Sequence, residues 1–398
     1  MQAILSNAYS FNDFIFVGHI KNKQESKDAT AALSSAVGIQ IILYAFHNLL
    51  PAGSTTYISQ YYGAKNYNEV CITFKAAFYA TIIFSSFLSI IGLFLANKIS
   101  HLTNSNSDVT SSLESFLFII LMASPAFGIM LLVDGMFKSC GNTKITLYLE
   151  ALSLFLNTFL NYIFVIQLNY GIRGTAIATA LARLIPAMIG LYGIFSNWIQ
   201  NIDIKLSFMI SCSDNNYGNN NSNSNEMELV ISRDSYIKAN TQELKDDEEL
   251  ESVEELNEKS IAIRIENNNQ MSSYRIYLSD MLTRVFEMGK LGLFASFGDF
   301  IYGYIFTCMI RYSGLLGSAQ QAGLGSAMRG VEWISFCVAE GFLISAITIV
   351  GQNIGAGLNI VIHYYILSYQ NRLSVDFFFR PGEIFFGWET TFEFLIFL

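Results

Sequence analysis

The sequence predicts an all-α membrane protein, a multi-pass helical bundle, and three observations support this prediction. The chain of 398 residues is 52% hydrophobic but only 14% charged, and its mean hydropathy is +0.38. A soluble domain carries roughly a quarter charged residues. The apolar residues come in continuous runs of roughly 20, the length of a helix that crosses about 30 Å of hydrocarbon. We therefore expect an integral, multi-pass protein of the plasma membrane or an organelle membrane, in direct contact with the lipid bilayer.

The apolar runs predict about eight membrane helices, separated mostly by short polar turns. They lie near residues 3–20, 30–62, 71–97, 112–137, 146–168, 174–198, 284–313 and 330–350. The first run lacks the basic region and the cleavage site of a signal peptide. We therefore interpret it as a membrane helix and expect the sequence to start within that helix. The expected domains are spans one to six over 1–200, a loop over 201–282, spans seven and eight over 283–357, and an unassigned apolar, aromatic tail over 358–398.

The segment 201–282 has a different composition from the rest of the chain. It contains the Asn/Ser tract NNYGNNNSNSN, and the acidic stretch QELKDDEELESVEELNEK accounts for much of the net charge of −9. Such polar, low-complexity sequence cannot bury enough apolar area to fold alone. We expect a mostly disordered loop, with one charged helix near Leu244 to Ile263. A solvated spacer and a regulatory or protein-binding segment both remain open as its role.

Several function classes have no support in the composition. No basic patch interleaved with aromatic residues is present, so no nucleic-acid partner is expected. The five cysteines show no CxxC spacing and the four histidines are far apart, which leaves no pattern for a metal site. No nucleophile–base pair or phosphate-binding glycine loop is recognisable. We expect neither an enzyme nor a bound cofactor.

One segment of the chain is repeated. TTYISQYYGAKN, from Thr55 to Asn66, is echoed by ITIVGQNIGAGLN, from Ile347 to Asn359, at an offset of 292 residues (352 minus 60) that pairs Gln60 with Gln352. Each copy ends a long apolar helix at a Gly-Ala turn. Internal repetition of a helix group is typical of transporters built from two pseudo-symmetric halves.

Four stretches together resemble the multidrug and toxic compound extrusion (MATE) family of cation-coupled transporters. They are NDFIFVGHI, ISQYYGAKNY, KSCGNTK through LNTFLNYIFV and GIRGTAIATALAR, and IVGQNIGAG, and they span 1–198 and 283–357. The resemblance implies two six-helix lobes joined by a cytoplasmic loop between the sixth and seventh helices. We accordingly expect a complete N-lobe and a C-lobe truncated after two helices.

The resemblance implies a cation or proton site in the N-lobe, formed by Asp13, Asn157, Asn161 and Thr179. A lone carboxylate in a membrane span is costly unless it is paired, hydrated or protonated, so Asp13 is a functional candidate. Asn157 and Asn161 are one helical turn apart and share a face. Some family members have a carboxylate at the position of Asn161, which bears on sodium selectivity. The alternative is that these amides only join helices by hydrogen bonds.

The seventh predicted span contains a candidate second proton site at Asp299, one turn from an acid that some family members require. Glu332 and Glu340 on the eighth span could contribute to it, although Glu332 is favoured as a partner of Arg329. The remaining intramembrane charges are expected only to pair or to lie at interfaces: Asp134, Glu150 and Arg183.

The function that the resemblance implies is secondary antiport. Two lobes would alternate in access, exporting amphipathic or cationic organic compounds in exchange for H⁺ or Na⁺. Two alternatives remain open: a truncated membrane protein that does not transport, and a flippase of lipid-linked precursors with related architecture. A flippase would need several basic cavity residues, for which Arg183 and Arg311 are too few.

Overall fold

The computed structural model describes residues 2–103, 106–199, 202 and 247–358. Within these ranges the secondary structure is helical, with no strand. The helices are α1 (Gln2–Gly18), α2 (Lys23–Gly63), α3 (Tyr67–Thr103), α4 (Ser107–Met122), α5 (Ser124–Ser139), α6 (Thr143–Asn161), α7 (Gly171–Phe195), α8 (Asp247–Gly314) and α9 (Ser318–Gly355), with a π-helical segment, Tyr162–Gln167, directly after α6. The predicted all-α class is confirmed.

Most of these helices have the length and composition of membrane spans. Among the described residues, five are long and apolar enough to cross a bilayer, and the bent pair of α4 and α5 makes a sixth when it is counted as one span. The predicted first and eighth spans correspond to α1 and α9, which are not among these six. Large apolar side chains such as Phe94 and Phe286 lie on the outside of the bundle. The protein is therefore an integral, multi-pass membrane protein.

The chain divides into two compact units. The first consists of Met1–Ile204 and Leu282–Leu398, and the second of Lys205–Met281. The charged helix expected near Leu244 to Ile263 is part of α8, which begins at Asp247 and continues to Gly314. Its acidic part is rich in Glu, Leu and Lys, which have high helix propensity and can form a helix without burying a core. Residues 203–246 of the predicted loop and 359–398 of the predicted tail lie outside the described ranges.

The fourth predicted span is a broken helix. α4 and α5 meet at an angle of 54°, and the break falls at Ala123, which is followed by Ser124 and Pro125. Proline has no backbone N–H and its ring displaces the preceding turn, so a long helix bends or restarts there. At this break the Ser124 hydroxyl contacts the imidazole of His47 and donates to the carbonyl oxygen of Ser85 at 3.2 Å. Buried polar contacts thus join α2, α3 and α5 at the bend.

α2 and α8 approach each other closely along a series of glycines. A Cβ atom at Gly53 would overlap the carbonyl oxygen of Met288, and one at Gly292 would overlap that of Leu49. Farther along, Gly303 contacts the backbone of Ile42. Membrane helices associate through such small residues because lipid gives no hydrophobic drive for their packing.

The two copies of the sequence repeat contact each other where α2 and α9 end. Gly63 lies against the backbone of Gln352, and Gly355 lies against that of Gln60. These two contacts exchange equivalent positions of the repeat, as expected for two elements related by a local two-fold axis. The Gln352 side chain also donates to the carbonyl oxygen of Ser139 at 2.8 Å. The repeated segment therefore forms part of the packing between α2, α5 and α9.

Candidate cation-binding site

Four polar side chains from three helices meet inside the first unit. Asp13 comes from α1, Asn157 and Asn161 from α6, and Thr179 from α7. Their exposed fractions are 4%, 0%, 0% and 2%, so the cluster is buried. The structure brings together the whole set that the family resemblance implied, although 166 positions separate Asp13 from Thr179.

The Asp13 carboxylate accepts three hydrogen bonds. Its Oδ1 atom accepts from Nδ2 of Asn157 at 3.0 Å and from Nδ2 of Asn161 at 2.8 Å. Its Oδ2 atom accepts from the Thr179 hydroxyl at 3.0 Å. Hydrogen bonds to an ionised acceptor are stronger than those between neutral groups. The cluster thus holds a carboxylate inside the bundle without a counter-ion in direct contact among the described residues.

Asn157 is the centre of the surrounding hydrogen-bond network. Its Oδ1 atom accepts from Nδ2 of Asn12 at 2.6 Å and from Nδ2 of Asn161 at 3.2 Å. The Oδ1 atom of Asn161 is buried and has no hydrogen-bond partner in the described part of the chain, which is uncommon for a buried amide oxygen. The sequence did not identify Asn12 as a member of this network. Its partner, Asn157, is 145 positions away, and no local pattern indicates that contact.

α6 presents one polar face toward this cluster. Its buried polar residues recur at helical spacing and therefore lie on one side, and they are Thr146, Glu150, Ser153, Asn157 and Asn161. The Ser153 hydroxyl donates to the carbonyl oxygen of Ala182 on α7 at 2.9 Å. The α-helix ends at Asn161 and continues as the π-helical segment, a feature that often lies at functional sites.

Glu150 and Arg183 pair with each other. The sequence predicted only pairing or interface positions for these two charges. The Arg183 guanidinium donates to both carboxylate oxygens of Glu150, at 3.1 and 3.2 Å. The pair joins α6 to α7 and is largely buried. The third such charge, Asp134, contacts Lys138 on its own helix.

The candidate second site, Asp299, lies on a different helix from the residues of this cluster. Asp299 is half-buried on α8, and it takes no part in the three hydrogen bonds that hold the Asp13 carboxylate. Its role as a proton site stays a prediction. The side chains of Glu332 and Glu340 lie outside those that the structure describes.

Sequence comparison identifies relatives for part of the chain. The MatE family profile matches residues 1–163. The multidrug export protein MepA of Staphylococcus saprophyticus is 22% identical over 186 residues, covering 47% of this chain and 40% of its own length. The probable multidrug resistance protein NorM of Thermotoga maritima is 28% identical over 198 residues, covering 48% and 41%. The matched region thus spans less than half the length of these relatives.

Solved structures share the fold over most of the chain. A MATE multidrug transporter, DinF-BH, superposes with a TM-score of 0.67 at 16% identity, covering 94% of this chain and 68% of its own. The eukaryotic MATE transporter AtDTX14 superposes with a TM-score of 0.65 at 14% identity, covering 100% and 76%. At such identities the likeness shows the fold alone.

Proposed function

Because this chain belongs to the multidrug and toxic compound extrusion family, we propose that it is a secondary antiporter. It exports amphipathic or cationic organic compounds in exchange for H⁺ or Na⁺. The observation that carries the proposal is the buried carboxylate of Asp13, held by donors from α6 and α7. One relative named above is a multidrug export protein and the other a probable multidrug resistance protein, which supports transport rather than catalysis.

A carboxylate that is buried in a membrane helix usually has a function. Its ionised form costs several kcal/mol in hydrocarbon, so such residues commonly serve ion or proton pathways. Binding of a proton or a sodium ion at Asp13 neutralises that charge. A cation that binds one conformation better than another shifts the balance between them. Asp13 can therefore link cation binding to the conformation of the first unit.

The atoms around Asp13 suit either coupling ion. The two carboxylate oxygens and the Thr179 hydroxyl oxygen face one another, and rotation of an amide group would present the oxygen of Asn157 or Asn161 in place of its nitrogen. The Asn161 oxygen already has no hydrogen-bond partner among the described residues. Hard cations prefer such oxygen ligands, and a protonated Asp13 would need one of these oxygens as its acceptor.

The proposed substrate class is supported by the names of the relatives rather than by a defined pocket. The names of the relatives refer to multidrug export and to multidrug resistance. Binding of many unrelated compounds is best served by aromatic and methionine surfaces, which adapt to shape and require few fixed hydrogen bonds. We expect lipophilic organic cations among the compounds exported.

The test is gradient-driven efflux from vesicles that contain the protein. With an imposed pH or Na⁺ gradient, export of a fluorescent organic cation should be lost in Asp13→Asn, because the amide keeps the volume of the carboxyl but cannot be ionised. Asp108→Asn, at an exposed position near the start of α4, is the matched control and should transport normally. Normal transport by Asp13→Asn together with loss in Asp299→Asn would move the coupling site to α8. Normal transport by both would refute a coupling role for either acid.

A further inference from the structure

The ion pair of Glu150 and Arg183 lies beside the Asp13 cluster on the same two helices. Arg183 is one helical turn beyond Thr179 on α7, and positions four residues apart are neighbours on a helix surface. Thr179 itself donates to Asp13. On α6, Glu150 is on the same buried face as Asn157. Both helices that hold the Asp13 carboxylate therefore also carry one member of the pair.

The guanidinium of Arg183 is a positive charge near the Asp13 carboxylate and acts on it electrostatically. The three groups that donate hydrogen bonds to this carboxylate are neutral, and they are Asn157, Asn161 and Thr179. Because the surroundings are buried, the field of Arg183 is screened less than it would be in water.

Glu150 determines where that positive charge is held. Both of its oxygens accept from one nitrogen of Arg183, so the guanidinium is fixed and partly compensated. A charged pair inside a membrane protein is costly to keep if it only joins two helices, since apolar packing could do the same. Another hydrogen bond already joins these two helices, because the Ser153 hydroxyl of α6 donates to the carbonyl oxygen of Ala182 on α7.

We propose that Arg183, held by Glu150, is a positioning residue of the Asp13 site, which lowers the affinity of that site for its coupling cation and so allows release. This inference rests on the proposed function. A positive charge near a cation site weakens binding of H⁺ and Na⁺ alike, so the sign of the effect does not depend on which ion is used. Glu150 limits the size of the effect by compensating part of the charge.

The decisive variant exchanges the two charges. Glu150→Arg combined with Arg183→Glu keeps an ion pair between α6 and α7 but places a negative charge near Asp13. The full-length protein is purified in detergent, and the midpoint of its thermal unfolding is measured against pH and against Na⁺ concentration, because a ligand that binds the folded state raises that midpoint. Asp13→Asn defines which part of the cation dependence belongs to Asp13.

We expect the exchanged protein to unfold near the wild-type temperature at saturating cation. Its Asp13-dependent cation affinity should be higher by on the order of tenfold, because the charge at position 183 changes from positive to negative while the opposite change at position 150 offsets part of that effect. The affinity should also be higher in Arg183→Gln, where the positive charge is removed and Glu150 remains. Wild-type stability with an unchanged affinity in the exchanged protein would overturn the proposal and leave the pair a purely structural contact.

A second comparison covers the case in which the exchanged protein does not fold. Arg183→Lys keeps the charge and should keep the wild-type affinity, whereas Arg183→Gln should bind the cation more tightly. Equal affinities in these two variants would overturn the proposal. If wild-type protein shows no cation dependence that Asp13→Asn removes, the proposed cation site itself fails, and this inference fails with it.

Discussion

The contacts of α1 with α6 and α7 differ in kind from those of α2 with α8. Around Asp13, three helices are joined by side-chain hydrogen bonds between carboxylate, amide and hydroxyl groups. Between α2 and α8 the backbones touch at glycines, with little room for any side chain. Hydrogen bonds of the first kind can be exchanged for bonds to an ion, whereas backbone contact cannot be replaced without moving a helix. We therefore expect cation binding to change the contacts among α1, α6 and α7, while the contact between α2 and α8 is kept.

The largest loss of stability is expected from Gly292→Ala. The new Cβ atom would overlap the carbonyl oxygen of Leu49, so backbone rather than a flexible side chain must move. We expect the free energy of unfolding to fall by about 3 kcal/mol, the upper part of the range for overpacking. Gly323→Ala on α9, where nothing lies within 4 Å, is the matched control and should be neutral or slightly stabilising. Equal thermal unfolding of the two variants would contradict the close contact of α2 and α8.

A smaller loss is expected from Asn157→Ala. This change removes a donor to Asp13 and the acceptor for Asn12. Hydrogen bonds to charged groups contribute roughly 1.5–3 kcal/mol, so we expect a loss of about 2 kcal/mol at a pH where Asp13 is ionised. Addition of the coupling cation should recover less stability than in the wild type, because one ligand is missing. Denaturant unfolding with and without cation measures both effects. An unaltered response to cation would show that Asn157 is not a ligand of the cation.

The smallest effect is expected from Thr348→Val in the repeated segment. The Thr348 hydroxyl donates to the carbonyl oxygen of Lys138 at 2.8 Å, and valine has nearly the same shape without the donor. One such hydrogen bond is worth about 1 kcal/mol net. Thermal unfolding should show this small loss with an unchanged response to cation, because neither Thr348 nor Lys138 belongs to the polar cluster around Asp13. A changed cation affinity would mean that the α2–α9 contact and the cation site are coupled.

Much of the fold was predictable from the sequence. The apolar runs indicated the helices because their length matches the bilayer, and the repeat predicted two equivalent elements at Gly63 and Gly355. The apolar run over 112–137 predicts one continuous span, whereas the structure has two helices there that meet at 54°. The Ser124-Pro125 dipeptide was the available indication of that break, but hydropathy does not register it. The helix from Asp247 was partly expected, since its charged residues favour a helix.

The membership of the polar cluster was also predictable, whereas its connections were not. Asp13 could be identified because a carboxylate in an apolar run is rare, and family resemblance supplied Asn157, Asn161 and Thr179. The contact of Asn12 with Asn157 depends on how α1 packs against α6, and no local pattern encodes that. The pairing of Glu150 with Arg183 likewise depends on the register of two helices. These long-range side-chain contacts could therefore be determined only from the structure.

The proposed antiport requires that binding of the organic compound release the coupling cation, and Asp13 is the proposed site of that cation. The most direct test of this assignment is to add a lipophilic organic cation to the purified protein in weakly buffered solution and to follow proton release with a pH indicator, or release of radioactive sodium at constant pH. The wild type should release H⁺ or Na⁺ on addition of the compound, and Asp13→Asn, still binding the compound, should release neither. Equal release by the two proteins would contradict the assignment of Asp13 as the coupling residue.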